Sequence, residues 1–431
     1  MSYIDTVQSL RDFLQASVSP YHVVEEAARR LSAAGFRSLS KEESWTVQPG
    51  DRCFIRLFDS CLAAFRVNPE YRPGDPFRIT ASHIDWPCMR IKPAGEFNMR
   101  SYKGLSVEVY GGPILNTWLD RPLSIAGHAA LRGKDPLHPV IRLVDLKKPV
   151  AIIPNLAVHY NRDVNKGKEL NPETELRPLV GHVKNALEKD GWLIKRLAEE
   201  LSAAPEDVLH FELYLYNKDA GEIIGWEEEF FSSPRLDNIT SVHASVEGLI
   251  QSSRARGVDV AVLYDNEEIG SETKQGARTA ALPFSLEKLA LSLGVPRDVF
   301  LSSLMQSLLL SMDVGHAIHP NFPQTMNAEN SIDLNQGFVI KTASSQRYST
   351  DSEGIAIVKG LADAGGIPYK VFCNRGDVRG GGTLGSMVSV LLAARTVDIG
   401  VPILSMHSAR ELMGVKDQQA LLDLVKAFYS A

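Results

Sequence analysis

The sequence has few cysteines, no long apolar run and no cluster of basic residues, and each shortage excludes a class of protein. Its four cysteines are Cys53, Cys61, Cys88 and Cys373, and none of them forms a Cys-x-x-Cys pair. Isolated cysteines in a chain without a secretory signal are typical of reduced thiols in a cytoplasmic protein. We therefore predict a cytoplasmic location and no disulfide framework.

Membrane and nucleic-acid partners are not expected either. No run of about 18 apolar residues occurs, so the sequence predicts no transmembrane helix. Residues 1–20 carry Asp5, Arg11 and Asp12 in an amphipathic pattern and lack the apolar core of a signal peptide. The net charge is -6, and no group of lysines or arginines forms the basic patch that a nucleic acid or an anionic membrane would require.

What the sequence does contain is a series of apolar runs that end in residues able to bind a metal. The runs cover residues 77–82, 260–264, 308–312 and 401–406, and they lead into His83, the pair Glu267 and Glu268, Asp313 and His407, respectively. In open α/β sheets, functional sites form outside the carboxyl ends of the strands. Helical patterns at 236–250 and 385–394 separate the runs, which predicts an α/β fold with a mainly parallel, doubly wound sheet.

The stretch between these runs has a different pattern. It contains short alternating segments, such as 105–110 and 211–216, and a polar helical pattern from Glu173 to Leu201. A chain of 431 residues is too long for one simple core. We predict that residues 92–230 form a β-rich domain inserted into a discontinuous catalytic domain made of residues 1–91 and 231–431.

Glu267 and Glu268 form the most informative pair. Two adjacent carboxylates at the end of a buried strand repel each other when both are ionised. A metal ion would relieve that repulsion, which suggests that one carboxylate binds a metal and the other acts as a base. Paired acids on a loop are also common on solvated surfaces, so the pair alone does not decide.

The other candidate ligands also have ordinary explanations. Asp237 follows Pro234-Arg235-Leu236, where a helix begins, and a carboxylate there is a routine helix cap. His83 and Asp85 are two residues apart and would point to one side of a strand. Asp85 would then accept the proton on the far ring nitrogen of His83 and fix the tautomer of a metal ligand. A single histidine near a strand end is more often an ordinary polar residue.

Five segments that contain these residues occur in a fixed order. They are His83-Ile84-Asp85-Trp86-Pro87, Ser233-Pro234-Arg235-Leu236-Asp237-Asn238, Asp265-Asn266-Glu267-Glu268-Ile269-Gly270-Ser271, Ser311-Met312-Asp313-Val314-Gly315-His316-Ala317 and Met406-His407-Ser408-Ala409-Arg410-Glu411. Together with residues 117–127 and 154–159 of the predicted insertion, they closely resemble the aspartyl aminopeptidase family of dinuclear zinc exopeptidases. The resemblance covers essentially the whole chain.

The resemblance implies an enzyme that hydrolyses the N-terminal residue of peptides with two divalent metal ions per subunit. It implies that Asp237 bridges the ions, that His83 and Asp313 complete one site, and that Glu268 and His407 complete the other. Zinc is the expected metal, although histidine and carboxylate ligands also accept Co²⁺ or Mn²⁺. Two such ions about 3.5–4 Å apart would acidify a bound water.

The resemblance also implies roles around the metals. Glu267 would be the general base, and Asp85 would orient His83. The inserted domain would build a tetrahedral homododecamer in which His159 reaches the active site of a neighbouring subunit. Lys341 would face the side chain of the first substrate residue, and Tyr348 would line the same pocket. A lysine there favours peptides that begin with Asp or Glu.

Alternatives remain open at this point. On composition alone, Lys341 is an ordinary surface lysine. Trp86, His128 and the segment from Arg379 to Gly382 depart from the family pattern. Trp86 either narrows access or packs, and His128 would change an assembly contact. The segment leaves a preference for neutral, leucine-like N-terminal residues open. A catalytically dead assembly scaffold is disfavoured because every ligand and the base are present. A glycosidase that uses Glu267 and Glu268 is disfavoured because adjacent strand residues point to opposite faces. His316 and His319 resemble a ligand pair on a helix face, but the metal positions are already filled.

Overall fold

The computed structural model describes residues 2–167, 169–183, 191–327, 329–378 and 380–431. The α-helices within these ranges are α1 (Tyr3–Ala16), α2 (Pro20–Ala33), α3 (Pro172–Glu175), α4 (Trp192–Leu201), α5 (Leu236–Ile250), α6 (Ala281–Ser292), α7 (Arg297–Met305), α8 (Ser352–Gly365), α9 (Gly385–Leu392) and α10 (Asp417–Ser430). The strands are β1 (Arg37–Leu39), β2 (Arg52–Phe58), β3 (Cys61–Val67), β4 (Phe77–His83), β5 (Cys88–Met99), β6 (Tyr102–Tyr110), β7 (Leu123–Leu131), β8 (Val140–Asp145), β9 (Leu179–His182), β10 (Val208–Asn217), β11 (Glu222–Ile224), β12 (Phe230–Ser233), β13 (Val258–Tyr264), β14 (Leu308–Met312), β15 (Gly315–His316), β16 (Phe338–Thr342), β17 (Tyr369–Cys373), β18 (Arg395–Gly400), β19 (Pro402–Leu404) and β20 (Glu411–Gly414).

The chain divides into two compact units. The first contains Met1–Asp85, Gly221–Met406 and Glu411–Ala431, and the second contains Trp86–Ala220 and His407–Arg410. The inserted domain predicted at residues 92–230 stays a prediction.

A nine-stranded sheet forms the centre of the first unit. Its strand order is β1-β2-β3-β13-β4-β14-β18-β16-β17, and the central strands β13, β4, β14 and β18 are parallel to one another. Every residue of β13 is buried, as expected for a parallel strand covered on both faces. The predicted α/β fold with a mainly parallel sheet is confirmed.

Helix α5 shows how the apolar pattern positions the site. It is buried along almost its whole length, and polar side chains such as Thr240, Ser241 and Ser245 are buried together with its apolar ones. Asp237 and Asn238, in its first turn, have non-helical backbone angles. The regular helix therefore starts only after these two residues.

The run at 401–406 is not a strand of the main sheet, so this part of the predicted pattern is wrong. The neighbouring strand β18 ends at Gly400, and Pro402 then opens β19 in a separate five-stranded sheet of order β11-β12-β20-β19-β15. A proline has no N–H to donate to a sheet ladder, which favours its position at the first residue of a strand.

The second unit contains a six-stranded antiparallel sheet of order β8-β7-β10-β5-β6-β9. The continuous helical pattern predicted from Glu173 to Leu201 is wrong in its first part, since α3 is followed by strand β9. Pro178 explains the break, because a proline cannot continue a helix from the preceding turn. Residues 184–190 of that prediction lie outside the described residues.

Helices long and apolar enough to cross a membrane are absent from the described part of the chain.

Candidate metal centre

The site lies at the carboxyl end of the three central strands of the first unit. His83 is the last residue of β4 and pairs with Tyr264 at the end of β13. Glu267 and Glu268 follow β13, and Asp313 follows β14 on the other side of β4. Parallel strands end at the same edge of a sheet, so all four side chains are placed there.

His83 lies between two carboxylates. Its Nε2 is 3.4 Å from Oδ1 of Asp237 and 3.4 Å from Oδ1 of Asp313, and its side chain is 1% exposed. One ligand atom from each of the three residues lies within 4.8 Å of the other two. An imidazole nitrogen with two carboxylate oxygens is a donor set that suits Zn²⁺.

A second group shares the same histidine. Ligand atoms of His83, Glu267 and Glu268 also lie within 4.8 Å of one another. The two glutamates start a 3₁₀ turn, Glu267–Ile269, after Asn266, whose φ of 62° is left-handed. The expectation that they occupy a strand end and point to opposite faces is therefore wrong, since a 3₁₀ turn rotates successive residues by about 120°.

Asp237 is not the cap of α5. The residue before the helix is Arg235, which makes no side-chain capping bond, and Asp237 lies inside the distorted first turn with ψ of 106°. Its backbone N–H donates to Oε2 of Glu411 at 3.0 Å, and Asn238 Nδ2 donates to the carbonyl oxygen of Met312 at 2.8 Å. These two bonds fix the turn, so that Asp237 reaches His83.

Asp85 connects the histidine to the glutamate turn. Nδ1 of His83 is 3.1 Å from the main-chain oxygen of Asp85 and 3.4 Å from its Oδ1. A carbonyl oxygen can only accept, so Nδ1 carries the proton and Nε2 is available as a ligand. The Asp85 carboxylate accepts the backbone N–H of Glu267 and that of Glu268, both at 3.1 Å.

The electrostatics of the glutamates point to a cation. Burial and the carboxylates of Asp313, Asp85 and Asp237, opposed by His83, together raise the pKa of Glu267 to about 7. Burial, followed by Asp237, raises the pKa of Glu268 well above its ordinary value. Carboxylates this close and this buried are all ionised only beside a compensating positive charge.

In His83, hydrogen bonds to carboxylates affect the pKa more than burial does. Burial disfavours its charged form, but its hydrogen bonds with Asp237, Asp313 and Asp85 outweigh burial and raise its pKa well above the ordinary value. The same three carboxylates that would hold a proton on the ring would favour a metal ion in its place.

Lys341 and Tyr348 lie beside this group. Nζ of Lys341 donates to the main-chain oxygen of Val314 at 3.1 Å and is 3.5 Å from Oδ2 of Asp313. It also lies 5.2 Å from the centre of the Tyr348 ring. Lys341 is 2% exposed, so the interpretation as a surface lysine is wrong.

His407 and His159 belong to the second unit, and their part in the site stays a prediction. Nδ1 of His407 is 3.0 Å from the main-chain oxygen of Gly112, which leaves Nε2 as the nitrogen able to bind a metal. His159 is exposed on the segment that joins β8 to α3.

The departures from the family pattern lie in several environments. Trp86 is buried, and His128 pairs with Leu143 and Glu212 in the antiparallel sheet. His316 ends the short strand β15, and His319 lies in the following loop, so the two histidines do not share a helix face. Arg379 lies outside the described residues.

Two acidic residues near the site were missed by sequence reasoning. Glu411 is buried and accepts the N–H of Asp237, and Asp398 is buried on β18 opposite Lys341. The signal for Asp398 was available, because one carboxylate within the apolar run Val397-Asp398-Ile399 is costly to bury without a function or a partner.

Comparisons with known proteins identify the family to which the chain is similar. The family described as "Aminopeptidase I zinc metalloprotease (M18)" matches residues 13–429. A protein named "Probable M18 family aminopeptidase 2" from Clostridium novyi is 42% identical over 428 residues, which cover 99% of both chains. Another of the same name from Ectopseudomonas mendocina is 37% identical over 99% of this chain and 98% of the relative.

Solved structures have the same fold. A chain from the cryo-EM structure of the Ape4 and Nbr1 complex superposes with a TM-score of 0.95 at 33% identity, covering 99% of this chain and 86% of that one. The dodecamer structure of mApe1 from S. cerevisiae gives a TM-score of 0.86 at 27% identity, covering 99% of this chain and 97% of that one.

Proposed function

The chain belongs to the M18 family of zinc aminopeptidases, and we propose that it removes Asp or Glu from the N-terminus of peptides with the help of two metal ions. The observation that carries this proposal is the buried group of His83, Asp237 and Asp313, with Glu267 and Glu268 beside it. Histidine nitrogen and carboxylate oxygen are the ligands that zinc aminopeptidase chemistry requires.

The proposed ligands divide between two ions. His83 and Asp313 would hold one ion, Glu268 and His407 would hold the other, and Asp237 would bridge them. Zinc is the expected metal, with Co²⁺ or Mn²⁺ as substitutes for the same donor set. When bound, the ions would acidify the attacking water and polarise the scissile carbonyl.

Glu267 is the proposed general base. It takes a proton from the attacking water and passes it to the leaving amine. Asp85 supports this role, because its carboxylate accepts the backbone N–H of Glu267 and so holds the turn that carries the base. Burial and the neighbouring carboxylates together raise the pKa of Glu267 to about 7, and two neighbouring cations would shift it back towards the ionised form that a base needs.

Lys341 supports the preference for acidic substrates. Burial opposes its charge, but the carboxylates of Asp313, Asp398 and Asp237 and the Tyr348 side chain outweigh burial and raise its pKa. A permanently charged ammonium beside Asp313 would attract an acidic side chain through a charge-assisted contact. A leucine-like side chain would offer no acceptor for that contact.

Replacement of Lys341 tests the substrate class. We expect Lys341→Met to lower kcat/KM for Asp- and Glu-anilide by about 100-fold or more and to leave Leu-anilide hydrolysis nearly unchanged, since a buried polar contact dominates such discrimination. Lys359→Met, on the exposed face of α8, is the matched control. Faster cleavage of Leu-anilide by the wild type, or an equal effect of Lys341→Met on all three substrates, would contradict the acidic preference.

We further propose that the chain forms a tetrahedral homododecamer through an assembly domain at residues 92–230. The similar mApe1 structure is a dodecamer. Near His159, the segment exposes Leu156, Val158 and Tyr160, of which Tyr160 is 83% exposed. Exposed apolar side chains in a row favour a contact with another subunit, which would carry His159 into a neighbouring active site.

A further inference from the structure

Asp398 is a buried carboxylate that is neither a proposed metal ligand nor the proposed base. It lies on β18, pairs directly with Lys341 of β16 in an antiparallel ladder, and is 0% exposed. Residues that pair in this way project from the same face of a sheet. The Asp398 side chain therefore lies on the same face of the sheet as Lys341, the residue proposed to select the substrate.

The two carboxylate oxygens of Asp398 hold two different segments. Oδ2 accepts the backbone N–H of Ser349 at 2.6 Å, in the segment that follows β16 and contains Tyr348. Oδ1 accepts the hydroxyl of Thr383, in the glycine-rich segment before α9. The backbone N–H of Asp398 adds a bond of 2.9 Å to Oγ1 of Thr350.

The start of α9 is shaped to admit this carboxylate. A Cβ at Gly385 would lie 2.5 Å from Oδ1 and 2.8 Å from Oδ2 of Asp398. Real Cβ atoms do not approach carboxylate oxygens so closely, so glycine is required for this close approach. Gly385 thus allows the start of α9 to approach the Asp398 carboxylate.

Parts of both segments, together with residues from 373–378, line one cavity. It has a volume of about 420 Å³, and its lining includes Thr342, Ser345, Arg347, Asn374, Gly380 and Gly381. Nη1 of Arg347 donates to the carbonyl oxygen of Gly380 at 2.9 Å and joins the walls a second time. Thr342 is the last residue of β16, so the cavity lies at the carboxyl end of the strand that carries Lys341.

We propose that Asp398 is a positioning residue for substrate selection. It sets the spacing of the segments at 343–350 and 380–385 so that Lys341, Tyr348 and the cavity receive an acidic side chain. This proposal rests on the proposed aminopeptidase function. A carboxylate is required because it offers an acceptor to each segment, whereas an amide offers one oxygen and turns an NH₂ group towards a donor.

Two substitutions test the proposal against the Asp-, Glu- and Leu-anilide panel. Asp398→Asn removes one acceptor, and Thr383→Val removes only the hydroxyl that donates to it, whereas Thr383→Ser keeps that hydroxyl. We expect Asp398→Asn to lower the ratio of kcat/KM for Asp over Leu by about tenfold or more, mainly through a higher KM for Asp-anilide. Thr383→Val should shift the ratio in the same direction, and Thr383→Ser should restore it.

Asp259→Asn is the control for a general loss of stability. Asp259 is another buried carboxylate of the same sheet, and its bonds with Asn68, Ser252 and Arg254 involve no residue that lines the cavity. The Asp259→Asn substitution should lower the midpoint of thermal unfolding without changing the ratio of kcat/KM for Asp over Leu.

The outcomes separate the two proposals. An unchanged ratio in Asp398→Asn and Thr383→Val, or an equal loss on all substrates, would overturn the role of Asp398. If Asp398→Asn fails to fold, Thr383→Val decides in the same way. A wild type that cleaves Leu-anilide faster would contradict the acidic preference. The role of Asp398 is judged separately, by how far Asp398→Asn and Thr383→Val change the ratio of kcat/KM for Asp over Leu.

Discussion

The carboxylate of Asp85 accepts a hydrogen bond of 3.1 Å from the backbone N–H of Glu267, the proposed general base. The same carboxylate accepts the N–H of Glu268, and the main-chain oxygen of Asp85 lies 3.1 Å from Nδ1 of His83. One buried residue thus fixes a proposed metal ligand and the turn that carries the base. Its effect on the site should therefore exceed that of an ordinary buried carboxylate.

Asp85→Asn should weaken metal binding. An amide has one acceptor oxygen, so one of the two turn N–H groups would face an NH₂ group instead. Partners that orient metal ligands are typically worth about 10–100-fold in metal affinity, and we expect a loss of that size for zinc. Titration against a competing chelator measures it.

Asp333→Asn is the control for this change. Asp333 is exposed and contacts only the nearby Gln336 among the bonds described, at 3.3 Å. The control should bind zinc as the wild type does. Wild-type zinc affinity in Asp85→Asn would show that its carboxylate does not organise the centre.

Co-expression of two inactive variants tests the proposed contribution of His159 to a neighbouring subunit. Glu267→Gln should keep its metal but lose about 10²–10⁴-fold in kcat, because it lacks the base. His159→Ala should lose activity because the neighbouring site lacks its imidazole. In mixed assemblies, a subunit with intact Glu267 can receive His159 from its neighbour, so activity should return to part of the sites.

The comparison is with the two variants expressed separately and mixed after assembly. Activity should stay low in that mixture if the subunits do not exchange. An inactive co-expressed assembly of normal size and metal content would mean that His159 acts within its own subunit or has no catalytic role.

His243 predicts a loss of stability in acid that is independent of the metal site. It is fully buried on α5, with Nε2 3.0 Å from Oγ of Ser9 and Nδ1 3.1 Å from Nε2 of Gln418. Burial, followed by the charge of Arg30, lowers its pKa from 6.5 to about 3. The unfolded chain therefore binds the proton more tightly between these two pH values.

The folded state is stabilised by the neutral form of His243. The contribution to stability is complete above pH 6.5 and is lost as the pH falls towards 3, with a limit of roughly 3–5 kcal/mol. Urea titrations at several pH values should give a steeper fall for the wild type than for His243→Gln, which has no proton to bind. Equal slopes would show that His243 is not the group responsible.

Much of the candidate site could be predicted because parallel strands end together. His83, Glu267, Glu268 and Asp313 follow apolar runs, and three neighbouring central strands bring them to one edge. The pattern alone could not place Asp237, whose position depends on bonds from distant residues such as Glu411. Its assignment came from the resemblance to a family.

Errors arose where local signals compete with the hydrophobic pattern. Pro402 starts a strand of another sheet within an apolar run, and Pro178 interrupts a helical pattern. Asn266 adopts a left-handed conformation that places the glutamates in a turn rather than at a strand end. That turn also removes the geometric argument against a glycosidase. Membership of the aminopeptidase family now argues against a glycosidase instead.

The central claim is that this chain is a metal-dependent aminopeptidase that selects acidic N-terminal residues. The most direct measurement is kcat/KM for Asp-, Glu- and Leu-anilide before chelation, after chelation and after the addition of Zn²⁺, Co²⁺ or Mn²⁺. We predict that chelation abolishes activity, that zinc restores it, and that Asp and Glu are cleaved faster than Leu at each active stage. Full activity of the metal-free protein, or faster cleavage of Leu after zinc is restored, would contradict the account.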